Sequence, residues 1–430
     1  MKQFSVAILG FGTVGTGVYR VLTENAADIT HREQIAIEVK RILVKGFDCE
    51  PNIGLAPREL FCTSIDEIVA SDVDIVVECM GGVNPARSFI LKCLEAGKTI
   101  VTSNKEVISK HWYEFEAAAK KTGAGLYYEA TVGGGIPILR TITDSMQANN
   151  ITRVMGIING TTNYILTKMS EEGREFGDVL KEAQLLGYAE ANPTADIEGF
   201  DATYKLSILS SMAFHAHMPI DVIHREGITG LTKDDFKAAK QLGYEIKLLA
   251  IGKKEGNRIE VRVHPTMVPN THPLASVRGV FNAIFLTGHA VDDVMLYGRG
   301  AGCLPTASAV VSDVIYACHH DGEHRYMTFK NEAEMTPDIE LNKNFSSIYC
   351  LRISVLDRPG TLAEVAKTLA KHNVSLKDVL QLGDDAADNN SKSITFMTHE
   401  AHEFDVQAAL EDLRALPCVF AIESVIRAEN

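Results

Sequence analysis

The sequence predicts an α/β protein of two or three domains, and three observations carry that expectation. A short apolar run, Phe4 to Leu9, opens directly into Gly10-Phe-Gly12-Thr-Val-Gly15 and then into a helical pattern through Val18, Val21 and Leu22. Further apolar runs, Ile37 to Val44, Val73 to Val77, Thr99 to Thr102 and Leu126 to Glu129, alternate with helical segments, as buried parallel strands joined by crossovers do. From Ser347 onward the order reads strand, helix, strand, strand, helix, strand, a ferredoxin-like βαββαβ arrangement.

The 430 residues, 46% of them hydrophobic, are enough for sizeable cores. A balance of 42 basic against 56 acidic residues gives a net charge of −14. That charge repels phosphate backbones and anionic lipid, so no nucleic acid and no membrane is expected as partner, and a small molecule is. The eight cysteines contain no CxxC pair and are expected to be reduced thiols. Met1-Lys2-Gln3 runs straight into a strand, and no apolar stretch reaches the ~20 residues that span a bilayer. The expectation is a cytoplasmic protein.

The first strand, glycine turn and helix form GxGxxG in the setting where it works. Gly10 permits the tight turn, Gly12 lets backbone approach a pyrophosphate, and Gly15 allows close helix–strand packing, with Phe11, Thr13 and Val14 completing the cradle at the helix start. A glycine-rich turn without a ligand would look the same locally. Where an acid would grip the ribose of NAD, the second strand carries Lys40, Arg41 and Lys45, which can pair with the 2′-phosphate of NADP or simply end a solvated strand. The loops Cys79-Met-Gly-Gly82 and Ser103-Asn-Lys105-Glu106 follow strands whose carboxyl ends face ligand in such sheets. Ser103 and Lys105 are therefore candidates for contact with cofactor or substrate, although Lys105 also reads as a surface residue at a helix start.

In the middle of the chain Glu129 precedes Ala130-Thr-Val-Gly-Gly-Gly135-Ile-Pro137, where carbonyls beside a carboxylate suit a hard cation and a tight turn explains the glycines equally. The run Asn159-Gly-Thr161-Thr162-Asn163 joins a strand to a helix, with Thr161 or Thr162 expected as its N-cap. Then comes Gly187-Tyr-Ala-Glu190-Ala-Asn-Pro-Thr-Ala-Asp196-Ile-Glu198-Gly-Phe-Asp201-Ala-Thr-Tyr-Lys205-Leu206. Asp201 and Lys205 fall one turn apart on a helix whose other residues are mostly apolar, so the pair is expected to be buried rather than a surface salt bridge.

These motifs, with Gly298-Arg-Gly-Ala-Gly302-Cys-Leu-Pro-Thr306, make the whole chain resemble homoserine dehydrogenase, and the tail resemble an ACT domain. The resemblance implies an NAD(P)-dependent oxidoreductase that interconverts L-homoserine and L-aspartate 4-semialdehyde on the route to threonine, methionine and isoleucine. It implies Lys205 and Lys105 as catalytic lysines, Glu190 and Asp201 with Gly187 at the substrate, and Gly302 returning to the nicotinamide. A monovalent cation such as sodium would take Glu129 and the carbonyls of Val132, Gly134 and Ile136. Asn192 stands where the family commonly has an acid.

An acid beside Lys205 favours its protonated form, which suits proton delivery to an alkoxide during reduction and predicts an alkaline optimum for oxidation. Other readings are a different small hydroxy-acid dehydrogenase, a cysteine-dependent aldehyde dehydrogenase using Cys79, and a non-catalytic NADP or amino-acid sensor. His215, His217, His319, His320 and His324 lack a zinc pattern and read as loop or helix-end residues. The expected layout is a Rossmann domain over 1–130 completed by a helix at 303–320, a catalytic and dimerisation domain over 131–300, a linker at 321–344 and the ACT domain over 347–430. Its partners would be the substrate, an amino-acid effector taken to be threonine, held at Val355 to Gly360 near Asp357, and further copies of the chain. Truncation near Asn344 is expected to leave a folded enzyme deaf to threonine.

Overall fold

In the computed structural model, which describes residues 1–320, 339–381 and 391–429, β1 (Lys2–Leu9) is fully buried from Val6 to Leu9 and leads through Gly10 to α1 (Thr13–Glu24). After α2 (Ala26–Glu33) come β2 (Ile35–Leu43), β3 (Phe61–Cys62), α3 (Ile65–Ala70) and β4 (Ile75–Glu78). Then follow α4 (Ala86–Glu95), β5 (Thr99–Thr102), α5 (Lys105–Thr122) and β6 (Leu126–Tyr127). The six strands are parallel in the order β3-β2-β1-β4-β5-β6, so the order in which strands are added reverses between β1 and β4, where ligand crevices form in open sheets.

The chain continues through α6 (Ile138–Arg140), β7 (Ile151–Ile157), α7 (Gly160–Glu172), α8 (Phe176–Leu185), α9 (Thr194–Ile197) and α10 (Phe200–Phe214). Next are β8 (His224–Arg225), α11 (Lys233–Gln241), the hairpin β9 (Tyr244–Glu255) and β10 (Arg258–Pro269), β11 (Phe281–Gly288), β12 (Asp292–Arg299) and α12 (Cys303–His319). The tail holds β13 (Glu340–Leu341), β14 (Ser346–Leu356), α13 (Thr361–Lys371), β15 (Leu376–Gln381), β16 (Ser391–Thr398), β17 (Ala401–His402), α14 (Glu403–Arg414) and β18 (Val419–Ala428). No helix among the described residues is long and apolar enough to cross a membrane.

Two units divide the chain: Met1–Val154, Tyr204–Val222 and Asn282–Asp338 in one, and Met155–Thr203, Ile223–Phe281 and Ile339–Asn430 in the other. In the first, α12 returns to pack on α1. A Cβ on Gly17 would lie 2.7 Å from the Cys303 carbonyl oxygen, so only glycine lets the two helices approach this closely.

In the second unit the tail is the expected βαββαβ layer, with strand order β18-β14-β16-β15 and a core that includes Leu351, Phe396, Val406 and Leu410. Its edge is not free: β18 pairs in parallel with β10, Thr266 opposite Arg427, so hairpin and tail form one continuous sheet. Residues 321–338 of the expected linker lie outside the described residues, and its end is not linker. Glu340 and Leu341 form β13 and pair with Arg258 and Ile259 of β10. The sequence missed this strand because two residues carry no periodicity.

Candidate active site

At the reversal between β1 and β4 a cleft of about 320 Å³ is lined by Gly10 and Gly12, by Lys45 and Glu50 after β2, and by Met80 and Gly81 after β4. Gly10 has φ +92° and makes the left-handed turn. A Cβ on Gly15 would stand 2.0 Å from the carbonyl oxygen of Gly10, whereas one on Gly12 would meet nothing within 4 Å. Gly12 thus presents bare backbone to the cleft beside the start of α1, and no side chain caps that helix. This is the room and the dipole that a pyrophosphate needs. Phe11 is buried edge-on against Tyr19 and Phe61, and Thr13 and Val14 form the first turn of α1.

The basic residues of β2 divide. Lys40 pairs with Asp72 at 2.7 Å, Arg41 donates from Nη1 to the Lys40 carbonyl at 2.8 Å, and exposed Lys45 borders the cleft. Glu50, which sequence reasoning passed over because it sits beyond the strand end, borders it too.

Two loops beyond β4 and β5 are tied together by Glu78, a wholly buried carboxylate. It accepts from Met80 N at 2.7 Å and from Thr102 Oγ1 at 2.6 Å, and desolvation pushes its pKa up. Thr102 Oγ1 in turn accepts from Asn104 N at 3.0 Å. Asn104 caps α5 by accepting from Val107 N at 3.1 Å and donates to the Gly82 carbonyl at 2.7 Å. Ser103, and Lys105 at the first position of α5, are therefore set on a fixed frame.

In the second unit the cap of α7 is Asn159, not Thr161 or Thr162. Asn159 Oδ1 accepts from Thr162 N at 2.8 Å, so the threonines lie inside the first turn. The asparagine wins because its amide has a second task. Nδ2 donates to Asp196 at 2.7 Å and to Asp201 at 2.8 Å, bringing two carboxylates to one donor. Gly187, φ +75°, ends the α8 segment, and Thr161 Oγ1 donates to the Tyr188 carbonyl at 2.6 Å. Glu190 is exposed, with its carbonyl held by Gln184. On α10 Asp201 is 6% and Lys205 7% exposed, while Leu206, Ile208 and Leu209 are wholly buried, as the helix's apolar composition predicts.

Residues 10–129 match the family model described as homoserine dehydrogenase, NAD binding domain; residues 137–315 match that of homoserine dehydrogenase, and 351–418 that of the ACT domain. Over 435 residues the chain is 37% identical to homoserine dehydrogenase of Bacillus subtilis (strain 168), covering 100% of this chain and 99% of that protein. The chain belongs to the homoserine dehydrogenase family. Its fold is similar to the crystal structure of a homoserine dehydrogenase from Thiobacillus denitrificans, with a TM-score of 0.93 and 39% identity, covering 100% of this chain and 99% of that one. A hyperthermophilic archaeal homoserine dehydrogenase in complex with NADPH is similar over 74% of this chain and 98% of its own, with a TM-score of 0.63 and 28% identity.

As a homoserine dehydrogenase the chain is an oxidoreductase with a Rossmann-type nucleotide-binding domain and an ACT domain. Cys79 does not suit nucleophilic chemistry, since burial and the adjacent Glu78 push its thiol up. His215 and His217 follow α10, and His319 and His320 close α12, consistent with helix-end roles; His324 lies outside the described residues. Gly302, φ +129°, is the N-cap of α12.

Glu129 is 2% exposed, with Oε1 accepting from Leu139 N at 3.0 Å and Oε2 from Arg140 N at 2.7 Å. Burial and Asp313, which accepts from Glu129 N at 2.8 Å, push its pKa up to about 8. Among the following carbonyls, that of Ile136 accepts from Ile138 N at 2.8 Å, and Gly134 sits where a Cβ would be 2.3 Å from the Gly300 carbonyl oxygen. Among the described residues no three His, Cys, Asp or Glu side chains gather for a metal. One carboxylate followed by backbone carbonyls would supply a single negative charge, as a monovalent cation requires.

Proposed function

We propose that this chain interconverts L-homoserine and L-aspartate 4-semialdehyde on the route to threonine, methionine and isoleucine, with NADP as preferred cofactor and NAD as the other candidate. The observation that carries the chemical part is the burial of Asp201 and Lys205 one turn apart on a helix otherwise buried in apolar residues. Two ionisable side chains so enclosed carry a desolvation cost that a role in the chemistry would justify.

The nicotinamide, when bound, exchanges hydride with the substrate's terminal carbon. Lys205 delivers a proton to the terminal oxygen as it becomes an alkoxide, and takes it back in oxidation. Lys105 steadies the same oxygen or the substrate carboxylate from the start of α5. Glu190 and Asp201, with the Gly187 turn, receive the substrate ammonium.

Gly10, Phe11, Gly12, Thr13, Val14 and Gly15 hold the pyrophosphate, Ser103 and Gly302 border the nicotinamide, and Lys45 and Arg41 favour the 2′-phosphate of NADP. Glu129, Val132, Gly134 and Ile136 hold a monovalent cation such as sodium, which would restore the charge of the buried carboxylate. The domains are 1–130 with 303–320 for nucleotide, 131–300 for catalysis and dimerisation, 321–344 as connection and 347–430 for regulation by an amino acid, with threonine first. The chain assembles as a homo-oligomer. Assaying purified protein with homoserine and each oxidised cofactor tests the reading. Turnover with NADP above that with NAD is expected, and no turnover with either would refute it.

A further inference from the structure

The tail of this chain contains a second polar cavity, of about 360 Å³, remote from the turn at Asp357. Lys253 and Glu260 of the β9–β10 hairpin, Arg258 beside its turn, Ser346 at the entry to β14, and Glu400 and His402 around β17 line it. No apolar side chain contributes to the wall. Ser346 Oγ lies 3.0 Å from His402 Nδ1 on one side.

Beneath the floor the charges are paired. Arg262, wholly buried, donates from Nη1 to Glu260 at 2.8 Å and from Nη2 to Glu429, and Lys253 stands 2.8 Å from Glu429. At the rim Arg258 faces Glu340, 3.4 Å away, with both side chains more than half exposed. Such a pair is worth little and yields readily to a competing anion. Glu260 is largely enclosed, and desolvation raises its pKa despite Arg262 and Lys253. Its carboxylate would gain from one more cation.

We propose that this cavity binds a free α-amino acid. The carboxylate of the ligand meets Arg258 and Lys253, and its ammonium meets Glu260 and Glu400. The walls offer both signs of charge within one small volume and no aromatic platform beyond His402, which selects a small zwitterion over a nucleotide or a lone anion. The proposal rests on the reading of the tail as an amino-acid-responsive domain and moves the site from the Asp357 turn to the junction of hairpin and tail.

Close to this cavity in the chain, contacts run from Arg427 to the acid-rich segment. Arg427, next but one to Glu429, donates to Glu403 at 2.7 and 2.8 Å and to Glu226 at 2.9 Å. Beside Glu226, Arg225 stacks on the Phe200 ring at 3.6 Å and donates to the Glu198 carbonyl. Ile228 N donates to the Ile197 carbonyl at 2.8 Å. Residues 197–200 lead directly into Asp201. Arg262, which pairs with Glu260, and Arg427, which pairs with Glu226, both lie over the Phe345 ring, at 4.2 and 5.6 Å, and this ring is the route by which a ligand in the cavity would reach the acid-rich segment.

The test is calorimetric titration of the full-length protein with L-threonine and then each standard amino acid, with homoserine oxidation measured alongside. Arg258→Glu, Glu400→Lys and Asp357→Ala are compared with the parent; all three positions are exposed, so the variants should fold. Arg258→Glu and Glu400→Lys are expected to weaken binding and the rate response by about tenfold or more, the scale of one lost hydrogen bond to a charged group. Asp357→Ala should leave both as they are. A parent that responds while the cavity variants respond equally overturns the cavity and leaves the regulatory reading standing. Loss in Asp357→Ala alone does the same. A parent that binds no amino acid overturns both.

Discussion

Lys205 lies in a buried stretch of α10: residues 205–211 are all buried. Lys205→Ala is expected to lower kcat by ~10²–10⁴ while the dissociation constant for NADP is nearly kept, because the glycine cradle is built by other residues. Near-normal kcat would remove Lys205 from the reaction. At Arg41 the guanidinium donates to the Lys40 carbonyl, and Arg41→Ala should weaken NADP more than NAD; equal effects would make it a plain strand-end residue. Glu129 makes a pH prediction. Its folded pKa of about 8 lies above the ordinary 4.5, so between those values the folded state holds a proton that the unfolded state has lost. Stability therefore falls as pH rises through that window. A bound sodium ion opposes this by favouring the carboxylate, so thermal unfolding at pH about 8.5 should respond to sodium over choline chloride more than at pH about 6. Equal salt responses at both would argue against the cation.

Among elements, the strand–turn–helix at the N-terminus separates a binding role from a folding role within one motif. Gly12→Ala adds a methyl to open space beside the cleft, and Gly15→Ala forces one to 2.0 Å from a carbonyl oxygen. The first should keep the melting temperature and weaken cofactor binding, whereas the second should lower the melting temperature itself. If Gly15→Ala melts like the parent, the helix is less tightly seated than described. This motif was legible because its glycines answer backbone requirements that local sequence states directly. The cap of α7 was not, since Asn159, Thr161 and Thr162 are all good caps and only the distant Asp196 and Asp201 decide among them. Glu78 gave no signal at all: in Ile75-Val-Val-Glu78-Cys it looks like the polar end of a strand, and its partners Met80 and Thr102 come from two loops. Lys205 and Asp201 were legible as a spacing, and their burial followed from the apolar residues around them.

For the molecule as a whole, the join between β10 and β18 changes what removal of the tail would do. Truncation near Asn344 would take away Glu429 and Arg427, leaving the wholly buried Arg262 without its Glu429 partner and opening β10 at Thr266 and Met267, where β18 pairs with it. The expected product is an unstable, association-prone chain rather than a deregulated enzyme, to be read by thermal unfolding and by light scattering. A truncated protein that melts like the parent and stays dispersed would show that the hairpin needs no partner. Pairing of this kind leaves no local pattern, so the βαββαβ order of the tail could be read while its attachment could not. The same join also sets a schedule for synthesis. Arg262 meets Glu429, a residue 167 positions later in the chain, so on the ribosome β10 emerges long before the strand that covers it. Until that strand arrives, Arg262 lacks its Glu429 partner and the end of β10 at Thr266 and Met267 is unpaired, which leaves the hairpin open to association during this interval.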